Sequence, residues 1–163
     1  IVTMEQPEDV LLTIEWPTLF FFIGLFILVE SLVKVGVIES LARSTLAATH
    51  GNYDLTVLLV LWISGIASAF VDNIPFVTAM IPLLKSMGQM AAMPMDPLWW
   101  ALSLGACLGG NGTLIGASAN VVVAGISEKQ GRPISFMDFT KIGFPMMLVS
   151  MLISTAYIYL RYL

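Results

Sequence analysis

The chain has 163 residues and a mass of 17.7 kDa, with 58% apolar residues, only 11% charged residues and a mean hydropathy of +0.90. So few ionisable side chains cannot cover a water-soluble domain, for which about 25% is usual; a soluble enzyme and a disordered chain are both excluded, and the net charge of -4 argues against a nucleic-acid binder. One histidine and one cysteine cannot build an internal disulfide or a common zinc site, which leaves an integral membrane protein.

Residues 1–16 form a polar N-terminal segment. Glu5, Glu8, Asp9 and Glu15 place it outside a bilayer, and it has no basic region or cleavage motif of a signal peptide. A chain that starts at Ile1 reads as a piece of something longer. A crossing helix needs about 20 mostly apolar residues. Residues 17–33 are the first such run, with Pro17 in the tolerant first turn and Glu30 reaching the interface from the far end. Residues 35–48 read as an interfacial helix. Glu39, Arg43 and Ser44 share one side, and Val37, Ile38, Leu41, Thr45 and Ala48 line another. His50, Gly51 and Asn52 then make a loop.

Residues 55–84 are apolar for too long to be one ordinary crossing. Asp72 and Asn73, among the costliest residues to bury in lipid, sit in the middle. Pro75 disfavours helix at Ile74. The economical interpretation is a re-entrant helical hairpin with Asp72-Asn73 at its tip, facing a cavity or another element that satisfies its backbone. After a loop over residues 89–97, residues 98–126 make a crossing broken by Gly109-Gly-Asn-Gly-Thr-Leu-Ile-Gly116, whose glycines cannot hold a regular helix. Its second half is expected to start near Thr113 and to show Ser118 and Asn120 on its early turns. A polar loop over 128–140 precedes the last crossing, residues 142–160.

The fold class is therefore an all-α membrane protein with three crossings, one of them broken, and one re-entrant hairpin. The two breaks resemble those of secondary transporters, in which half-helix ends present amide hydrogens to anions and carbonyls to cations. If both lie at mid-depth, Asp72, Asn73, Asn111 and Thr113, with Gly110 and Gly112, form one ion and substrate site, supported by Ser68, Thr78, Ser118 and Asn120. A Na⁺ would be held by Asp72, Asn73 and Asn111. The plainer alternatives are a close-packing face for Gly109 to Gly116 and a simple helix cap for Asp72. Ser64 is expected to hydrogen-bond between helices, and Cys107 to be a small buried residue. The glycine run has neither the spacing of the dinucleotide fingerprint nor the Lys-Ser/Thr of a phosphate loop.

The stretches Ser68-Ala-Phe-Val-Asp-Asn-Ile-Pro-Phe76 and Gly105-Ala-Cys-Leu-Gly-Gly-Asn-Gly-Thr-Leu-Ile-Gly-Ala-Ser-Ala-Asn-Val121 resemble the ion transporter superfamily. The branch is that of the melanosomal P protein, near the arsenite permeases and sodium/proton antiporters. Phe136-Met-Asp-Phe139 and Gly143-Phe-Pro-Met146 add to the likeness, which covers residues 11–163 and matches a C-terminal half. The resemblance implies two inverted repeats, a scaffold part that dimerises and a transport part that moves like an elevator. It also assigns the Asp72-Asn73 tip and the Gly109 to Thr113 stretch to the cation and substrate site. An N-terminal repeat is absent from this chain, so a missing repeat or a second copy is the expected partner, together with the bilayer and a small ion or anion.

The expected function is cation- or proton-coupled secondary transport, with no cofactor beyond the coupling Na⁺ or H⁺ and no enzymatic activity. A passive channel and a membrane scaffold subunit are the alternatives. An intramembrane hydrolase would want a Ser-His pair or two inward Asp residues, which one loop histidine and one tip aspartate do not supply.

Overall fold

A computed structural model describes residues 16–163; the polar segment before Trp16 lies outside the described residues. Seven helices are present and no strand among the described residues: α1 (Trp16–Lys34), α2 (Val37–Ala48), α3 (Tyr53–Ser68), α4 (Asn73–Ala91), α5 (Met95–Gly109), α6 (Ser118–Lys129) and α7 (Phe136–Tyr162). α7 is the one described helix long and apolar enough to cross a membrane alone, and α1 and α2 satisfy the same test as a pair bent by 66°. Gly36, at φ +77°, makes that bend in a backbone region other residues avoid. α2 buries Ile38 and Ala42 and exposes the Glu39–Arg43 ion pair, but of the apolar side expected from the spacing Val37, Leu41 and Ala48 are exposed as well, because the buried stripe runs through Ala42 instead.

Local chemistry sets the helix ends. The Asn52 side chain accepts from the Leu55 amide at 3.0 Å and starts α3. The Asp72 carboxylate accepts from the Ile74 amide at 3.2 Å and starts α4, with Pro75 in the first turn, where a missing N–H leaves nothing unpaired. The break is therefore residues 69–72 rather than Ile74. Ser135 caps α7 by accepting from the Asp138 amide at 3.1 Å, while its own hydroxyl donates to the Asp138 carboxylate at 2.6 Å. That cap brings residues 136–140, assigned to a polar loop on sequence, into the helix. The loop expected over 89–97 shrinks likewise to the turn between Ala91 and Met95.

Contacts along the helices give their directions. Near their starts, Tyr53 of α3 donates to the Pro94 carbonyl, which precedes α5, at 3.4 Å. Near their ends, Gly105 lies against Leu61 and Ser64, and Gly109 against Gly65. α3 and α5 therefore run parallel. α4 connects the end of α3 to the start of α5, so α3 and α4 are the arms of a hairpin with its tip at 69–72. The arms touch each other only slightly, because the small-residue face of α3 is filled by α5. α7 runs antiparallel to this pair: Met147 covers Gly112, Met151 covers Gly65, the Trp62 indole donates to Thr155 at 3.1 Å, and Tyr162 stacks on Trp100 with centroids 6.4 Å apart.

Measured on α7, both breaks stand beside Met147, with about 16 Å of helix on one side and about 22 Å on the other. The core is built by Val57, Leu61, Leu84, Met87, Leu98, Met147 and Met151. Outward residues are also apolar, with Phe20 and Leu28 65% exposed and Leu160 85%, the reverse of a soluble surface.

Two side chains depart from expectation. Cys107 is exposed, because Ala106 and Gly105 occupy the face of α5 turned to α3. Ser64 is fully buried, but its hydroxyl has no partner, since Gly105 opposite offers no side chain. Burying an unmade hydrogen bond costs about 1–3 kcal/mol. Ser64→Ala is therefore expected to raise the melting temperature, and a melting curve of the purified transporter in detergent checks it.

Candidate functional site

The two breaks meet. From α3, the Ser68 hydroxyl, fully buried, is 2.7 Å from the Ala106 carbonyl of α5 and also bonds to Asn73 Oδ1 at the start of α4. From the second break, residues 110–117, the buried Thr113 hydroxyl donates to the Ala69 carbonyl. Ser118, the first residue of α6, donates to the Asp72 carboxylate. Asn120, one turn into α6, donates its amide to the Gly110 carbonyl at 2.9 Å and the Thr113 carbonyl at 3.1 Å, and so ties the unwound segment to the helix that follows. This is why α6 starts at Ser118 rather than near Thr113: the intervening carbonyls and the Thr113 hydroxyl are engaged across the break instead of along a helix.

Glycine permits the approach. A Cβ on Gly116 would stand 2.8 Å from the Ala69 carbonyl oxygen, and one on Gly110 would stand 3.2 Å from Asn73 Oδ1. Gly112 faces Ala69 and the Met147 sulfur.

Two predicted members lie elsewhere. Asn111 is exposed on the opposite side of the unwound segment, where it lines a groove of about 420 Å³ with Phe139, Ile142, Met146 and Ser150 of α7. The expectation that it joins Asp72 and Asn73 is corrected: an unwound backbone turns successive side chains to different faces, and the tip occupies the Thr113 face. Thr78, one turn beyond the tip, donates to its own helix at Ile74 and lines a groove with Phe26 and Glu30 of α1, away from the break. The backbone carbonyls of Ala69 and Ala106 belong to the cluster and were not predicted. Small residues beside each break, Ala69 and Gly116, are the signal that marks such close approach.

Chemically the cluster is a mixed one. α4 and α6 bring their N-termini to it, and α3 and α5 their C-termini, so partial charges of both signs converge. Asp72 is the one ionisable residue in either break. Among the described residues no three His, Cys, Asp or Glu side chains gather, and the hydrogen bonds to the Asp72 carboxylate come from the neutral Ile74 amide and Ser118 hydroxyl. One carboxylate with hydroxyl, amide and carbonyl oxygens suits a monovalent cation or a proton better than a transition metal.

Known proteins are similar in sequence. The model of the citrate transporter family matches residues 1–105. An uncharacterized transporter of Mycobacterium tuberculosis is 49% identical over 161 residues, covering 96% of this chain and 37% of the relative. The 46 kDa membrane protein of Mycobacterium leprae is 44% identical, covering 100% of this chain and 38% of the relative. The human P protein is 45% identical over 158 residues, covering 93% of this chain and 19% of the relative. The chain thus spans little more than a third of these bacterial relatives and a fifth of the P protein. No solved structure gives a significant match. These likenesses, with the apolar helices, place the chain among integral membrane proteins of a transporter family. The chain belongs to the citrate transporter family.

Proposed function

We propose that this chain carries one half of the solute pathway of a secondary transporter, and that uptake or exchange of an ion or small anion is coupled there to Na⁺ or H⁺. The supporting observation is the interlock of two helix breaks beside the middle of α7, with a single carboxylate in it. In this placement α1, the broken α5–α6 pair and α7 cross the membrane, α2 lies at an interface, and α3–α4 is a re-entrant hairpin entering from the end that holds Tyr53, Trp100 and Tyr162. Polar groups at such depth are tolerated where protein or a solute satisfies them.

Asp72 binds the coupling cation or proton, with Asn73, Thr113 and Ser118 oxygens around it. No lysine or arginine lies in either break, so the charge of an anion would be balanced by the coupling cation and by the N-termini of α4 and α6. The family description makes citrate the first anion to try. An inverted N-terminal repeat would supply the facing half of the pocket, and the complete transporter would work as a homodimer. The test uses proteoliposomes of the complete transporter. Accumulation of labelled solute against its gradient, driven by an imposed Na⁺ or pH gradient and abolished by its collapse, is the expected result. Flux indifferent to both gradients, with currents far above transporter turnover, would make the protein a passive channel.

A further inference from the structure

We propose that the end of α4 remote from the tip binds the phosphate of an anionic phospholipid, with Lys85, Ser86 and Gln89 as donors. Lys85 is the one ionisable residue in the 19 of α4. Its ammonium is in no ion pair among the described residues, whose ion pairs join Glu30 to Lys34 and Glu39 to Arg43. The Ser86 hydroxyl and Gln89 amide, one helical turn apart, also have no hydrogen-bond partner among the described residues. A cation, a hydroxyl and an amide on one helical stripe form a donor set for phosphate oxygens. All three line a groove of about 460 Å³ between α4 and the α1–α2 corner. Glu39 lines it too, but its carboxylate is held 2.7 Å from Arg43 Nη2 and so does not neutralise Lys85.

The depth fits a headgroup. Lys85 lies about 18 Å along the helix from Asn73, and with the tip at mid-depth this is just beyond a hydrocarbon half-thickness of about 15 Å. The lysine stem then runs along apolar surface while the ammonium meets the phosphate. Val33, Ile38 and Met90 wall the groove, and a second groove of about 320 Å³ opens on the other side of Lys85 against Met95 and Trp99. Apolar walls on both sides suit acyl chains and offer nothing to a soluble anion. The inference rests on the membrane placement proposed above, but not on coupling at Asp72.

The complete transporter, reconstituted in nanodiscs of mixed phosphatidylcholine and phosphatidylglycerol, is delipidated gradually and its retained lipids are counted by native mass spectrometry. Phosphatidylglycerol should be enriched over the bulk ratio by about fivefold, the weight of one lysine near an anionic surface. Lys85→Gln should return retention to the bulk ratio, Lys85→Arg should keep it, and Gln89→Leu should lower it. Lys129→Gln, at the other end of the molecule, and Asp72→Asn should retain wild-type enrichment, so failure of coupling and failure of lipid binding are separable. Equal enrichment in wild type and Lys85→Gln overturns the site. Inorganic phosphate that stabilises lipid-free protein through Lys85 as well as the lipid does overturns the choice of a phospholipid.

Discussion

Asp72→Asn in the complete transporter should abolish gradient-driven accumulation while leaving the fold as stable as the wild type. The prediction is sharp because of what the two carboxylate oxygens do. One caps α4 by accepting from the Ile74 amide, and the other accepts from the Ser118 hydroxyl. Asparagine caps a helix as well as aspartate does, and its amide can donate to the serine oxygen in place of the reversed bond. The substitution therefore keeps both contacts and removes only the negative charge. Asp72 is half-buried in this chain; with the facing half of the proposed pocket closed over it, removing one member of the charge pair costs about 2–5 kcal/mol, so cation affinity should fall by at least ~30-fold. Solute accumulation under an imposed Na⁺ or pH gradient and a melting curve in detergent measure the two halves separately. Wild-type coupling in the variant would reduce Asp72 to a cap. An unfolded variant would show that the charge holds the tip in place and would remove Asp72 as evidence for coupling.

What could be read in the sequence was the position of the breaks, because polar and helix-breaking residues are expensive in an apolar run and stand out there. Asp72 and Asn73 in one stretch, and Gly109 to Gly116 in another, mark the places where the helices end, and the structure brings those places together. The side to which a residue of the unwound stretch points was not legible. A helix or strand has a period that sorts residues by face, and an unwound segment has none, so Asn111 and Thr113, two positions apart, were grouped although they face opposite ways. Carbonyl acceptors such as Ala69 and Ala106 have no side-chain signature at all. Other misses had a signal. Ser135 followed three residues later by Asp138 is the pattern of a reciprocal cap, and it places the start of α7 where the structure has it. Gly105 and Gly109, four apart, are the pattern of a close helix contact; what they do not say is that the partner is α3 rather than the adjacent arm α4.

That contact is where a single methyl group should do most harm to the fold. A Cβ on Gly109 would stand 2.7 Å from Gly65 Cα and 2.8 Å from its carbonyl carbon. These are backbone atoms of α3, which cannot swing aside as a side-chain end can. Nor can α3 retreat freely, because Met151 of α7 already covers its other side at Gly65. Gly109→Ala must therefore push α3 and α5 apart at their ends, next to the Ser68–Ala106 and Thr113–Ala69 bonds that join the breaks. Overpacking a tight core costs about 1–3 kcal/mol, and loss of a buried hydrogen bond adds about 1–3 kcal/mol. The expected outcome is a fall in melting temperature and a loss of solute binding together. Gly125→Ala in α6 is the matched control, since nothing lies within 4 Å of its Cβ and alanine favours a helix over glycine by about 1 kcal/mol; it should melt at or above the wild-type temperature. If Gly109→Ala melts like Gly125→Ala, the α3–α5 contact is not what holds the two breaks together, and the site would have to be maintained by α7 alone.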